Sequence, residues 1–335
     1  MLSVPDNVGD GQRENRKADI MKPLDAATKR GTVLNGALFD TKDADSVVIA
    51  ITGIHGNFYS NPFYYDFGEA LNAAGINFIY AQTNDAFDRI YTKNVKTGGL
   101  ETIGSWNERF VYTDEDIEAY LDICEKAGYR HIYLAGHSLG ANKVIYYLSR
   151  RHDPRVERFI LLSPANLSCM MSGVTEREKE LIREQTERGD GDKKLPSPLM
   201  GWVDCVAYTA YDWVFTDDLN NVHTESDGDF SAVSKITHSG ALLIGTYDTF
   251  AGGDPAGFLR NINRHMMKAD ENKLIFIEQT GHTYQQKHRE TAAALTELVS
   301  GWRASSEATS AKPSPKPGKS GAAMKKGGIS HEKAV

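Results

Sequence analysis

The chain has 335 residues, 40% of them hydrophobic and 25% charged, with a formal net charge of −7. Those proportions are near a globular average and exclude a wholly disordered or fibrous protein. No uncharged apolar run reaches the roughly 18 residues of a membrane-crossing helix, residues 1–20 hold no apolar stretch of secretory type, and an acidic balance argues against a nucleic-acid binder.

Residues 1–18 read as a loose, flexible end. Strands are expected at 33–39 and 46–52; the second, SVVIAIT, is continuously apolar, as in a strand buried on both faces. A helix is expected over 62–74, ending at Gly75, then a buried strand at 76–82. The segment 113–127 reads as a helix: Ile117, Tyr120, Leu121 and Cys124 share a face, Thr113 and Asp116 resemble a capping box, and Gly128 suits a left-handed stop. A strand at 131–135 leads into a helix over 139–151, and another strand follows at 158–162. Residues 166–238 break the alternation. They are polar at first, then aromatic, and read as an insertion above the sheet with a helix at 175–188, capped by Thr175 and Glu178. Strands at 241–245 and 273–278 then alternate with helices over 255–267 and 284–302. From Arg303 onward, seven Lys or Arg accompany two Glu, and residues 304–335 are poor in large apolar side chains, so they read as a disordered basic tail.

Alternating β and α units imply a mostly parallel sheet with helices on both faces, and a ligand site beyond the carboxyl ends of the strands. The body is therefore expected at 19–165 and 239–303. Three cysteines, Cys124, Cys169 and Cys205, show no C-x-x-C spacing, which argues against a disulfide framework or a structural zinc. The expected compartment is the cytoplasm, and neither metal nor cofactor is expected.

The strand HIYLA runs into Gly136-His137-Ser138-Leu139-Gly140 and then a helix. This is G-x-S-x-G in the strand–turn–helix context that gives it meaning. A serine at so sharp a turn needs small neighbours two residues either side. The turn lifts its hydroxyl into the cleft, and the helix N-terminus favours developing negative charge there. An ordinary Gly-rich turn is the bland alternative.

On these residues the chain resembles the α/β-hydrolase superfamily, over about residues 33–302. The resemblance implies a serine nucleophile, then an acid, then a histidine in chain order. ALLIG leads into Thr246-Tyr247-Asp248, and KLIFIE into Gln279-Thr280-Gly281-His282. Ser138, Asp248 and His282 are thus the implied triad. Asp254 is the rival acid, but Asp248 follows the strand directly, and the alternative position, Ser163-Pro164-Ala165-Asn166, offers no carboxylate. The family's H-G motif matches His55-Gly56, which implies oxyanion N–H donors from Asn57 and Leu139. The resemblance also places a cap after the sixth strand, at 166–238.

Aromatic side chains near these loops, Phe58, Tyr59, Trp202, Tyr208 and Trp213, are candidate substrate contacts; packing of cap on body is the alternative for each. The expected function is a cofactor-independent serine hydrolase acting on an ester or related acyl bond of a small molecule. An acyltransferase, amidase or lactonase using the same triad stays open, as does a non-catalytic ligand-binding protein of this fold.

Overall fold

The computed structural model describes residues 21–310. Its principal sheet has eight strands. In chain order they are β1 (Met21–Ala27), β2 (Val33–Phe39), β3 (Ser46–Ile51), β4 (Asn77–Ala81), β7 (His131–His137), β8 (Val156–Leu162), β9 (Gly240–Gly245) and β10 (Lys273–Ile277). A separate hairpin pairs β5 (Ile90–Lys93) with β6 (Leu100–Ile103). Across the large sheet the order is β1-β2-β4-β3-β7-β8-β9-β10. The β1–β2 and β2–β4 pairs are antiparallel, and all pairings from β4 to β10 are parallel.

The sequence explains the layering. In β3, Val47, Ile49 and Ile51 join one core cluster while Val48 and Ala50 join the other, because successive side chains point to opposite faces. On the first face pack α2 (Thr113–Ala127), α3 (Leu139–Arg150) and α7 (Pro255–Arg264). On the second pack α1 (Phe63–Ala73) and α8 (His288–Ser310). Between β8 and β9 lie α4 (Leu167–Met171), α5 (Glu176–Glu187) and α6 (Ala207–Phe215). These build a third cluster, in which Ile182, Leu199, Val203 and Trp213 pack with Phe110 and Leu139 of the body. Among the described residues, no helix is long and apolar enough to cross a membrane.

The chain leaves β3 for β4 on one side and later returns to β7 on the other. Loops after β3 and β7 therefore diverge and open a crevice at the carboxyl ends of the two strands. This topology sets where the chemistry sits.

Several expectations need correction. Thr113 does not cap α2. A 3-10 turn, Phe110–Tyr112, runs into the helix, no side chain caps it, and the Asp116 carboxylate is bonded to Arg30 and to the Asn84 N–H instead. Helix α8 starts at His288 rather than 284, because Tyr284 and Gln286 hold positive φ of 55° and 64°. It then continues to Ser310, so residues 304–310 are helical and not part of a disordered tail. The expected loose end at 1–18 and the remainder of the tail, 311–335, lie outside the described residues. Strand β1 and the β5–β6 hairpin carried no legible signal. β1 reads MKPLDAA, with Lys, Pro and Asp that an edge strand tolerates and a central one does not. By contrast, Thr175 and Glu178 form the expected capping box on α5.

Candidate active site

The elbow is built as its glycines require. Ser138 joins β7 to α3 with φ 56° and ψ −129°, a strained conformation for a residue with a Cβ. A Cβ on Gly136 would lie 2.2 Å from the Gly140 carbonyl oxygen, and one on Gly140 would lie 2.2 Å from that of Ile51. Both contacts are with backbone, which cannot yield cheaply. His55, Ser163 and Gln279 also hold positive φ, and they follow β3, β8 and β10 at the same rim of the sheet. Strain in non-glycine residues concentrates where the strand ends meet.

Asp248 and His282 come together. The Nδ1–H of His282 donates to both carboxylate oxygens of Asp248, at 3.0 and 2.9 Å. The carboxylate is buried and also accepts the Phe250 N–H at 2.9 Å. The Phe250 ring lies against the imidazole, with centroids 4.3 Å apart. Asp254 is excluded from this role by its own work: exposed, it caps α7 by accepting the Gly257 N–H at 2.9 Å.

His137, the residue before Ser138, joins the histidine loop to the elbow. Its Nε2–H donates to the His282 carbonyl at 2.8 Å, and the two rings are 4.9 Å apart. Burial, and then the neighbouring His282, push His137 down to about 3, so it is neutral at any working pH. Nothing in the sequence distinguished it from a bystander next to the serine. The Ser138 hydroxyl has no hydrogen-bond partner among the described residues, His282 included.

The loop after β3 differs from expectation. Asn57 does not present a free N–H: it donates to the His55 carbonyl at 2.9 Å, and its side-chain amide donates to Ala86 O at 3.0 Å. The residue that lies over the elbow is Gly53. A Cβ there would be 2.8 Å from His137 O, 2.9 Å from Leu139 N and 3.0 Å from Ser138 Cβ. The next residue, Ile54, has an N–H without an acceptor among the described residues, and so has Leu139, the first residue of α3. The sequence expected His55-Gly56-Asn57 to lie against the serine, whereas the segment that packs on the turn is Thr52-Gly53-Ile54 at the strand end.

The five aromatic candidates separate. Phe58 is wedged between Tyr65 and Tyr80, with centroids 4.3 and 4.2 Å away, and packs, partly buried, against the core. Trp213 is buried against Phe110, and Tyr208 fills the space beside Gly191 with Arg109 over its ring. These three glue the cap to the body or pack the core. Tyr59 and Trp202 are exposed, and Trp202 sits 5.6 Å from the His55 ring of the loop after β3.

A buried charged group lies behind that loop. Lys143 of α3 donates to Asp85 at 2.8 Å and forms an ion pair with Glu108 at 2.9 Å. Burial, reinforced by the Asp85 carboxylate, pushes Glu108 up to about 8. Burial alone would lower the Lys143 ammonium, but Asp85 and Glu108 outweigh it and hold it above its usual range.

Residues 48–188 match the sequence profile described as the alpha/beta hydrolase fold. The chain is an α/β-hydrolase-fold protein. Its hydrolase-fold body resembles solved structures along most of its length. Est1E from Butyrivibrio proteoclasticus shares 17% identity with a TM-score of 0.56, covering 84% of this chain and 99% of that one. A monoacylglycerol lipase of Paleococcus ferrophilus shares 17% identity with a TM-score of 0.55, covering 80% and 98%. The Pyrococcus furiosus esterase Pf2001 shares 15% identity with a TM-score of 0.54, covering 90% and 99%. At such identities the likeness is one of fold. No curated protein sequence matches the chain.

Proposed function

We propose that this α/β-hydrolase-fold protein is a serine hydrolase that cleaves a carboxylic ester through an acyl-enzyme on Ser138. The observation that carries the reading is the His282–Asp248 pair, docked through His137 onto the strained turn that bears Ser138. The names of the structural neighbours, an esterase and a monoacylglycerol lipase among them, favour the same class of bond.

With Nδ1–H donated to Asp248, the imidazole keeps its acceptor lone pair on Nε2. Nε2 takes the Ser138 proton as Oγ adds to the ester carbonyl. The substrate draws serine and imidazole together, since such contacts are commonly long in an empty site and tighten with substrate bound. Asp248, buried and doubly bonded, holds the tautomer and stabilises the imidazolium. The developing oxyanion takes N–H bonds from Ile54 and Leu139, each worth about 3–4 kcal/mol in the transition state. The imidazolium then protonates the departing alcohol. In the second half, Nε2 removes a proton from water, hydroxide adds to the acyl carbon, and Ser138 leaves with the proton returned. Trp202 is the aromatic side chain assigned to substrate contact.

Turnover of p-nitrophenyl acetate tests the reading. Ser138→Ala is expected to abolish it, and a fluorophosphonate probe to label the wild type at Ser138 alone. Full activity in Ser138→Ala refutes the mechanism. Product analysis with a competing alcohol then separates hydrolysis from acyl transfer.

A further inference from the structure

Lys143 is an unusual residue for its place. It lies in the middle of α3, one turn beyond Leu139, with its side chain 1% exposed. Lysine is almost never fully buried unless paired. Here the three N–H bonds of its ammonium have three acceptors: Asp85 Oδ1 at 2.8 Å, Glu108 Oε1 at 2.9 Å and Thr83 Oγ1 at 3.4 Å.

Two of those acceptors belong to the segment that braces the oxyanion-side loop. The Asp85 carbonyl accepts the His55 N–H at 2.8 Å. The Thr83 hydroxyl meets the Thr52 hydroxyl at 2.8 Å, and the Thr83 N–H donates to that same Thr52 oxygen at 3.0 Å. Thr83 also donates to Asp85 Oδ1 at 2.8 Å, which closes the ring of bonds. Residues 83–85 therefore grip the chain at Thr52 and at His55, immediately either side of Gly53-Ile54. The third acceptor, Glu108, holds the ammonium from the opposite side. Its own backbone carbonyl accepts the Thr209 hydroxyl of α6 at 2.9 Å.

We propose that Lys143 is a positioning residue that sets the distance between the two oxyanion donors. One donor, Leu139 N–H, is on the same helix as Lys143, at i and i+4. The other, Ile54 N–H, is on the loop that Lys143 reaches through Asp85 and Thr83. A buried ion pair is not needed for stability, since apolar replacements of similar volume often serve as well. Its specific contribution is directional: two short bonds, to Asp85 and Glu108, and a longer one to Thr83 tie α3 to two other segments, whereas an apolar side chain fills the space without choosing a register. Asp85 and Glu108 share the one ammonium from opposite sides, and burial pushes Glu108 upward against the pull of Lys143.

The inference rests on the ester-hydrolase reading of Ser138, and the experiment separates the two. Lys143→Met combined with Asp85→Asn, in a Glu108→Gln background, removes the ammonium together with both carboxylates that hold it and leaves neither stranded. Circular dichroism and thermal melting establish that the variant folds, and p-nitrophenyl acetate kinetics are then read well below its melting temperature. The expected result is a kcat reduced about 100-fold with KM within about threefold, the mark of a misplaced transition-state contact. A folded variant with kcat near that of the wild type overturns the proposal. If the first combination does not fold, Lys143→Met with Asp85→Val in the same background is read in the same way. Failure of both to fold would make the pair a stability element and also overturn the positional claim. Ser138→Ala is measured alongside: an inert Ser138→Ala with a fully active Lys143 variant removes only this inference, whereas an active Ser138→Ala removes the hydrolase reading itself.

Discussion

Gly53→Ala puts a single methyl group where the site is tightest. The new Cβ would sit 2.8 Å from His137 O, 2.9 Å from Leu139 N and 3.0 Å from Ser138 Cβ. Comfortable separation begins near 3.5 Å, so the shortfall is on the order of 0.5–0.7 Å. The elbow side cannot give way easily, because the Ser138 N–H is held by Leu162 O at 2.9 Å and the crowded atoms are mostly backbone. The loop bearing Ile54 must therefore move. Overpacking of this kind costs about 1–3 kcal/mol of stability. The functional cost is of similar size: displacing one proposed oxyanion donor by a good fraction of an ångström lowers kcat by about 100-fold, or roughly 2.7 kcal/mol, within the roughly 3–4 kcal/mol of a lost donor. The assay is kcat and KM for p-nitrophenyl acetate, with a thermal melt of each protein. Gly173→Ala is the control, since a Cβ there meets nothing within 4 Å, and its stability should stay within about 0.5 kcal/mol of the wild type. A folded Gly53→Ala with kcat within about threefold of wild type would refute the placement of the oxyanion site.

Asp248→Asn should lower kcat by up to about 10⁴-fold with little change in stability, because the amide favours the wrong imidazole tautomer. Asp254→Ala should do the opposite, costing about 0.5–2 kcal/mol as a lost helix cap in a denaturant melt while kcat stays at the wild-type value; the reverse pattern would reassign the acid. Glu108 links stability to pH. Its folded value of about 8 lies above the ordinary 4.5, so the folded state binds the extra proton between those limits. That contribution is complete below about pH 4.5 and is lost as pH rises through about 8. Urea midpoints of Glu108→Gln, measured across this range, should fall less steeply with pH than those of the wild type, and parallel curves would disprove the linkage.

Much of this protein is written in local patterns. The run SVVIAIT reads as a strand buried on both faces, and the glycines of the G-x-S-x-G turn between HIYLA and an amphipathic helix leave room for backbone contacts that a Cβ would block. The order of Ser138, Asp248 and His282, each directly after a buried strand, pointed to the rim where Asp248 and His282 meet. These features were readable because periodicity and glycine placement act over a few residues. The edge strand β1 and the β5–β6 hairpin were not, since their pairing partners, rather than their own composition, hold them extended.

What the chain alone established is the set of chemical groups and the strand ends that carry them. Which backbone N–H faces the serine, which aromatic side chains pack rather than bind, and why a lysine is buried beside three carboxylates, Asp85, Glu108 and Asp116, were decided only by folding. Each depends on contacts between segments far apart in sequence: Lys143 with Asp85, His137 with His282, Gly53 with Leu139. Local propensity has no term for such distances, because they arise from how the sheet orders its strands at the β3–β7 crossover.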